Sequence, residues 1–314
     1  MFLSGVTLVA AAAGAGWLNY AQHRAARWAR RLLRESWHVV APPPARPRLE
    51  TWSAERVTVA LVGHATILIN FYGIWILTDP VLFPRIGIDL RMGTLGPKRL
   101  IAPALTISEL PPLDVVLLSH AHMDHLDMRT LRRLFRRSVP VVTAAATADL
   151  VHAAGGRNVT ELGWGEHTLL QTSRGELRIE AFEVKHWGQR WPDGRPRGYN
   201  GYVLRREGTA LIFGGDTAMT SSFQRLRPTG PYALAVMPIA AYRPWIRNHC
   251  TPEEAVAMAE AAGARYFVPM HHETFILSDE PVEEPRQRLE NALAEEPERL
   301  ALRRIGETFV LPRT

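Results

Sequence analysis

Three histidines and an aspartate fall within six residues, His120-Ala121-His122-Met123-Asp124-His125, directly after the apolar run Val115 to Leu118. Neutral imidazole with carboxylate suits zinc and related divalent transition metals better than the oxygen-seeking calcium or magnesium. One zinc needs only three protein donors and a water. Four donors in so short a loop do not wrap easily around one ion, so His120 and His122 are expected to face one metal and Asp124 and His125 a second. Three more donors stand at other strand ends. His186 closes the run before it, Asp216 follows Ala210–Phe213 and a Gly-Gly step, and His271 follows Tyr266–Pro269. Ligands in layered proteins gather outside the carboxyl ends of strands, so these ends read together as one site.

The elements that must position these donors are legible as apolar runs bounded by turn residues. Strands are expected at 57–62, 66–71, 74–78, 115–118, 139–143, 177–184, 202–205, 210–213, 234–238 and 266–269. Asp127 is placed to cap a helix over 128–137. Thr251, Pro252 and Glu254 form the signature of a capping box opening a helix over 252–262. Residues 81–113, rich in Gly and Pro, read as a long surface excursion. Gly73 to Asp79 and Gly208 to Asp216 echo each other: a glycine turn, an apolar strand, then an aspartate. The whole is an α/β layered protein in which two similar halves are expected.

The 314 residues suffice for a large core, and the single cysteine, Cys250, implies no oxidising compartment. The net charge of +6 is concentrated: five arginines and one glutamate lie between Arg24 and Glu35, four of the six surplus charges. This argues against nucleic acid as partner of the main body. Residues 1–22 carry no charge and form a candidate membrane anchor. Basic residues after it, and none before, favour retention with the body on the cytoplasmic face; a cleaved export signal, giving a periplasmic protein, and a plain apolar terminus are the alternatives. Ala25, Trp28, Ala29 and Leu32 recur at helical spacing opposite the arginines, so 23–48 reads as a basic helix, either for an anionic membrane surface or as a solvated helix docked on the domain, followed by a proline-rich linker, and 49–314 as the catalytic domain.

The motif HAHMDH resembles the H-x-H-x-D-H signature of the metallo-β-lactamase superfamily. Within it the chain is similar to the N-acyl-phosphatidylethanolamine-hydrolysing phospholipase D family, through GHAT (63–66), LTDP (77–80), GPKR (96–99), ISELPPLDVVLLSH (107–120), HW (186–187), GDT (215–217), PIAAY (238–242), PEEAV (252–256) and HHETF (271–275). The resemblance covers about 55–310 and implies an αββα sandwich (α+β class) with two Zn²⁺ at one edge. By position it gives His120, His122 and His186 to one zinc, Asp124, His125 and His271 to the other, and Asp216 to both; His272 is one residue out of register. It also implies that His249 contacts substrate. Met123 departs from the family, standing where lipid-hydrolysing members carry a tyrosine.

Two zinc ions, two carboxylates and a bridging hydroxide sum to about +1, which favours an anionic ester such as a phosphodiester. The expected function is a binuclear zinc hydrolase of phospholipase D type, in which the metal-bridging hydroxide attacks N-acyl-phosphatidylethanolamine or a related phospholipid. Asp124 would orient the nucleophile, and the leaving alkoxide would be stabilised by a metal or protonated by His249. Arg190 and Tyr242 are candidate substrate contacts, and His64 and Asp79 candidates for orienting the ligands from behind. The loop 187–200 has the composition of a lid. The alternative is a metallo-hydrolase of a soluble lactone, nucleotide or RNA phosphodiester. A homodimer remains a candidate assembly.

Overall fold

The computed structural model describes residues 37–90, 93–135, 138–191 and 194–313. Fifteen strands and five α-helices are formed there: β1 Val57–Gly63, β2 Thr66–Phe71, β3 Ile74–Thr78, β4 Ile88–Leu90, β5 Gly93–Leu95, β6 Val115–Leu118, α1 Met128–Leu134, β7 Val141–Ala144, α2 Ala148–Ala153, β8 Val159–Leu162, β9 His167–Thr172, β10 Gly175–Phe182, β11 Gly201–Arg206, β12 Thr209–Phe213, α3 Ser222–Leu226, β13 Tyr232–Pro238, α4 Pro252–Ala262, β14 Ala264–Met270, α5 Glu284–Ala292 and β15 Thr308–Val310.

Two mixed sheets stack face to face. One runs β15-β1-β2-β3-β6-β7-β8 and the other β14-β13-β12-β11-β10-β9. In each, antiparallel strands give way to parallel ones, at β3–β6 and at β12–β13. The inner faces share one core, with Val59, Leu61, Ile67 and Ile76 meeting Leu177, Ile179, Leu211 and Phe213. Outside the first sheet lie α1 and α2, through Leu131, Leu134 and Val151; outside the second, α4 and α5, through Val256, Met258 and Leu289. The result is the αββα sandwich. Strands buried on both faces are continuously apolar, which is why β1, β2 and β6 were readable from sequence.

Two expectations change. Residues 81–113 are not simply a surface excursion: Val81, Ile86, Ala104, Leu105 and Leu110 are buried, and Arg99 is wholly enclosed. Its guanidinium donates to the carbonyls of Val81, Phe83 and Ile101, and burial pushes its pKa down to about 9. Gly and Pro here serve close packing. The proline-rich segment 41–47, expected as a stiff linker, is fastened to the domain, because Ala41 N donates to Leu100 O and Ala45 N to Ile305 O. The expected anchor and basic helix, residues 1–34, lie outside the described residues, and no helix among the described residues is long and apolar enough to cross a membrane.

The capping box forms as expected, with Thr251 Oγ1 accepting from Glu254 N and the Glu254 carboxylate from Thr251 N. It fixes the start of α4 directly after His249. Thr251→Ala should lower stability by about 1 kcal/mol, read from urea unfolding midpoints.

Candidate metal centre

The donors converge where strand ends meet at one edge of the sandwich. His120, His122, Asp124 and His125 occupy the loop between β6 and α1, His186 follows β10, Asp216 follows β12 and His271 follows β14. The loop is held from below. Asp79, at the end of β3, accepts from Ser119 N (2.7 Å), Ser119 Oγ (2.5 Å) and His125 Nδ1 (2.7 Å). It is held from outside by Arg190, whose Nη1 donates to the carbonyls of Ala121 (2.7 Å) and Leu126 (2.9 Å). Asp216 is set by Gly215, which has φ +57 and would place a Cβ 2.6 Å from the Asn200 carbonyl.

The hydrogen bonds assign tautomers. Ser119 gives its proton to Asp79, so at His120 Nδ1 (2.8 Å) it accepts, and His120 Nε2 keeps a lone pair. His186 Nδ1 donates to the Asn248 carbonyl (2.8 Å) and His125 Nδ1 to Asp79, freeing both Nε2 atoms. Outer partners of this kind aim ligand histidines.

Two donor groups result. His122 Nδ1 lies 2.8 Å from His120 Nε2 and 3.2 Å from His186 Nε2. Asp124 Oδ2 lies 3.5 Å from His125 Nε2 and 3.4 Å from His271 Nε2. Asp216 Oδ2 stands between them, 3.1 Å from His125 and His271 Nε2 and 3.8 Å from His186 Nε2. The structure thus brings all seven candidates together. His272 turns away toward Glu273 (3.6 Å).

Burial drives His120 and His186 well below the usual histidine range, and His122 down to about 4. These rings are neutral, the form that binds a metal. At the second group burial opposes charge too, yet Asp216 and Asp124 hold His125 well above the usual value and lift His271 to about 9. The carboxylates stay well below theirs, because burial is outweighed by His125 and His271. His125 Nε2, His271 Nε2 and Asp216 Oδ1 are buried without a hydrogen-bond partner. Orphaned polar atoms of this kind are costly. Divalent cations fit this donor set: nitrogen lone pairs and carboxylate oxygens converge, and positive charge is what the carboxylates otherwise draw from protons.

His64 and Asp79 both stand behind the donors. His64 Nε2 donates to Asp124 Oδ2 (3.0 Å), and its backbone, at φ 57, is pinned by Thr274 Oγ1 and by His271 N. The residues expected at the substrate fare differently. Met123 and His249 line a cavity of about 490 Å³ above the donors, with Trp187, Trp191, Trp245 and Leu277. His249 Nδ1 is 3.9 Å from Asp216 Oδ2, and burial takes its ring down to about 4. Burial thus favours the neutral ring, which can offer an N–H at the cavity wall. Arg190 reaches the cavity wall, but the ligand loop's carbonyls engage its guanidinium. Tyr242 is not a cavity residue: its hydroxyl donates to Glu284 on α5 (2.9 Å), leaving Ala241 to face the cavity. In the loop expected as a lid, Arg197 pairs with Asp149 at the α2 end. Trp187, part of the HW match, and Trp245, readable from sequence as a candidate wall of a lipid site, both line the cavity.

Comparison with known proteins agrees with this architecture. Residues 74–272 match the family model described as a beta-lactamase superfamily domain. The chain belongs to the beta-lactamase superfamily. It is 31% identical over 247 residues to the N-acyl-phosphatidylethanolamine-hydrolyzing phospholipase D 1 of Caenorhabditis elegans, covering 74% of this chain and 68% of that one. It is 32% identical over 167 residues to a metal-dependent hydrolase of Deinococcus radiodurans (51% and 65%). A solved metallo hydrolase of Ignicoccus hospitalis shares the fold, with a TM-score of 0.60 at 19% identity over 82% of this chain and 99% of that one. The protein is a metal-dependent hydrolase of this superfamily.

Asp79 makes three hydrogen bonds to the ligand loop. Asp79→Ala is expected to weaken metal affinity about 10- to 100-fold, measured by competition with a chromophoric chelator; unchanged affinity would remove Asp79 from the centre's support.

Proposed function

We propose that this superfamily member is a binuclear zinc phosphodiesterase acting on N-acyl-phosphatidylethanolamine or a related phospholipid, with phospholipase D regiochemistry. The observation that carries the reading is the pairing of two three-residue donor groups through Asp216 Oδ2 on the floor of a cavity walled by aromatic and apolar side chains. His120, His122 and His186 would hold one ion, Asp124, His125 and His271 the other, and Asp216 both. Two such ions supply an activated water and charge neutralisation for phosphoryl oxygens.

The chain's own residues divide the remaining work. His64 keeps Asp124 in one orientation through its hydrogen bond. Trp187, Trp191 and Trp245 narrow the cavity and displace water from a phosphodiester seated there. His249, neutral and at the wall, offers an N–H to a phosphoryl or leaving-group oxygen. Met123, in the middle of the motif, presents a flexible apolar side chain where relatives place a tyrosine, so recognition at that point is by packing. The identity to phospholipase D relatives supports the same substrate class.

A hydrolysis panel with product identification tests this. The metal-loaded protein should release phosphatidate and N-acylethanolamine from N-acyl-phosphatidylethanolamine, and should cleave bis-aryl phosphodiesters more slowly. Turnover of lactones with neither diester touched would sink the proposal. Asp216→Ala should reduce bound metal below two equivalents and lower diester turnover by at least about 1,000-fold; full retention of both would refute its place between the ions.

A further inference from the structure

The ribbon formed by β4 and β5 is amphipathic the wrong way round. Ile88 pairs with Leu95 across it, and Leu90 follows Ile88 by two residues, so the three side chains share one face. All three are exposed, at 39%, 45% and 53% respectively. The opposite face carries the pair Asp89 and Thr94, and this polar face meets two arginines of α1, with Asp89 itself exposed. Arg132 of α1 binds Asp89 (2.5 Å) and Arg129 donates to Thr94 Oγ1 (3.1 Å). A ribbon that fastens its polar face to its own domain and leaves its apolar face outward is built to be covered.

The course of the chain indicates by what. Residues 37–41 run along the ribbon's foot, where His38 donates to the Arg99 carbonyl and Lys98 to the His38 carbonyl, both at 2.6 Å. Trp37 and Val39 project there almost fully exposed. The 36 residues before them contain the uncharged stretch 1–22 and five arginines between 24 and 34. Two exposed apolar segments thus meet at the ribbon's foot, and the sequence leading into Trp37 is uncharged and then arginine-rich, the composition that seats at an anionic bilayer surface. The ribbon also adjoins the site. Ile86 at its foot packs with Val81 and Phe275, against Leu277, which lines the metal cavity.

We propose that the outer face of the β4–β5 ribbon, Ile88, Leu90 and Leu95, docks into the surface of an anionic phospholipid bilayer and thereby presents the cavity to the membrane. The inference rests for its purpose on the reading of a phospholipid substrate, but its test does not require turnover. Cys250 is fully buried, so a cysteine introduced by Leu90→Cys in the full chain can carry a polarity-sensitive fluorophore alone. Vesicles of phosphatidylcholine and phosphatidylglycerol containing spin-labelled lipid should blue-shift and quench it. A label introduced by Glu207→Cys, at the opposite end of β12, should be unmoved. Equal behaviour of the two labels overturns the proposal. So does a shift at position 90 that needs no vesicles and grows with protein concentration, which would assign the face to a second copy of the chain. The double variant Ile88→Asp, Leu90→Asp should hydrolyse vesicle-borne substrate about ten-fold more slowly with soluble diester turnover unchanged; no loss on vesicles, or equal loss on both substrates, contradicts docking. A label that responds to vesicles in a protein inactive on every phospholipid upholds the ribbon's role and removes the proposed substrate instead.

Discussion

Two largely buried carboxylates crowded among imidazoles call for positive charge among them. At this edge of the sandwich that constraint governs everything nearby. Asp216 and Asp124 hold His125 and His271 above the usual histidine range against the pull of burial, whereas burial keeps His120 and His186 below it. The same constraint explains the outer tier. Asp79, Ser119 and the Asn248 carbonyl take the Nδ1 side of three rings, so that each Nε2 has one direction left. The burial of most of these donors makes the cluster costly alone and receptive to a cation.

The supporting backbone accepts conformations it would otherwise avoid. His64, Asp79 and His271 all lie in left-handed or near-left-handed regions without being glycine. Such positions persist where surroundings over-determine them. Here the determinants are mutual: His271 N binds the His64 carbonyl, His64 N binds Thr274, and the Asp79 amide binds the Leu117 carbonyl. Turn geometry at three separate strand ends is therefore one linked arrangement, which ties the reach of the ligands to the packing of the sheets beneath.

Much of this was legible in the chain, and the exceptions have causes. The donors stood out because a six-residue motif and strand-terminal His and Asp are local signals. Central strands stood out because burial on both faces leaves them uniformly apolar. β9 did not, since an edge strand with alternating exposure, His167-Thr-Leu-Leu-Gln-Thr172, reads as loop. Tyr242 was misplaced because aromatic character says nothing of which way a side chain turns; Glu284, far along the sequence, decides that. Arg190 and Arg99 look like surface cations until one sees that their partners are carbonyls. The ribbon at 88–95 was hidden by its short strands and by the Gly and Pro around it, and its reversed polarity shows only against α1.

The echo between Gly73–Asp79 and Gly208–Asp216 has a counterpart in the topology. β3 and β12 each end an antiparallel run and begin a parallel one, and each delivers an aspartate to the same edge. The two carboxylates have parted ways, Asp216 in front among the donors and Asp79 behind them. Neither half holds a complete donor set: the first sheet contributes His120, His122, Asp124 and His125, the second His186, Asp216 and His271. A cation seated there would act as a rivet through two plates, cross-linking sheets that otherwise meet only through apolar contact and a few bonds such as Tyr202 to the Leu118 carbonyl. Metal loading and the mating of the halves would then be one event, and a chain whose plates had slipped by a single strand residue would have no centre to load.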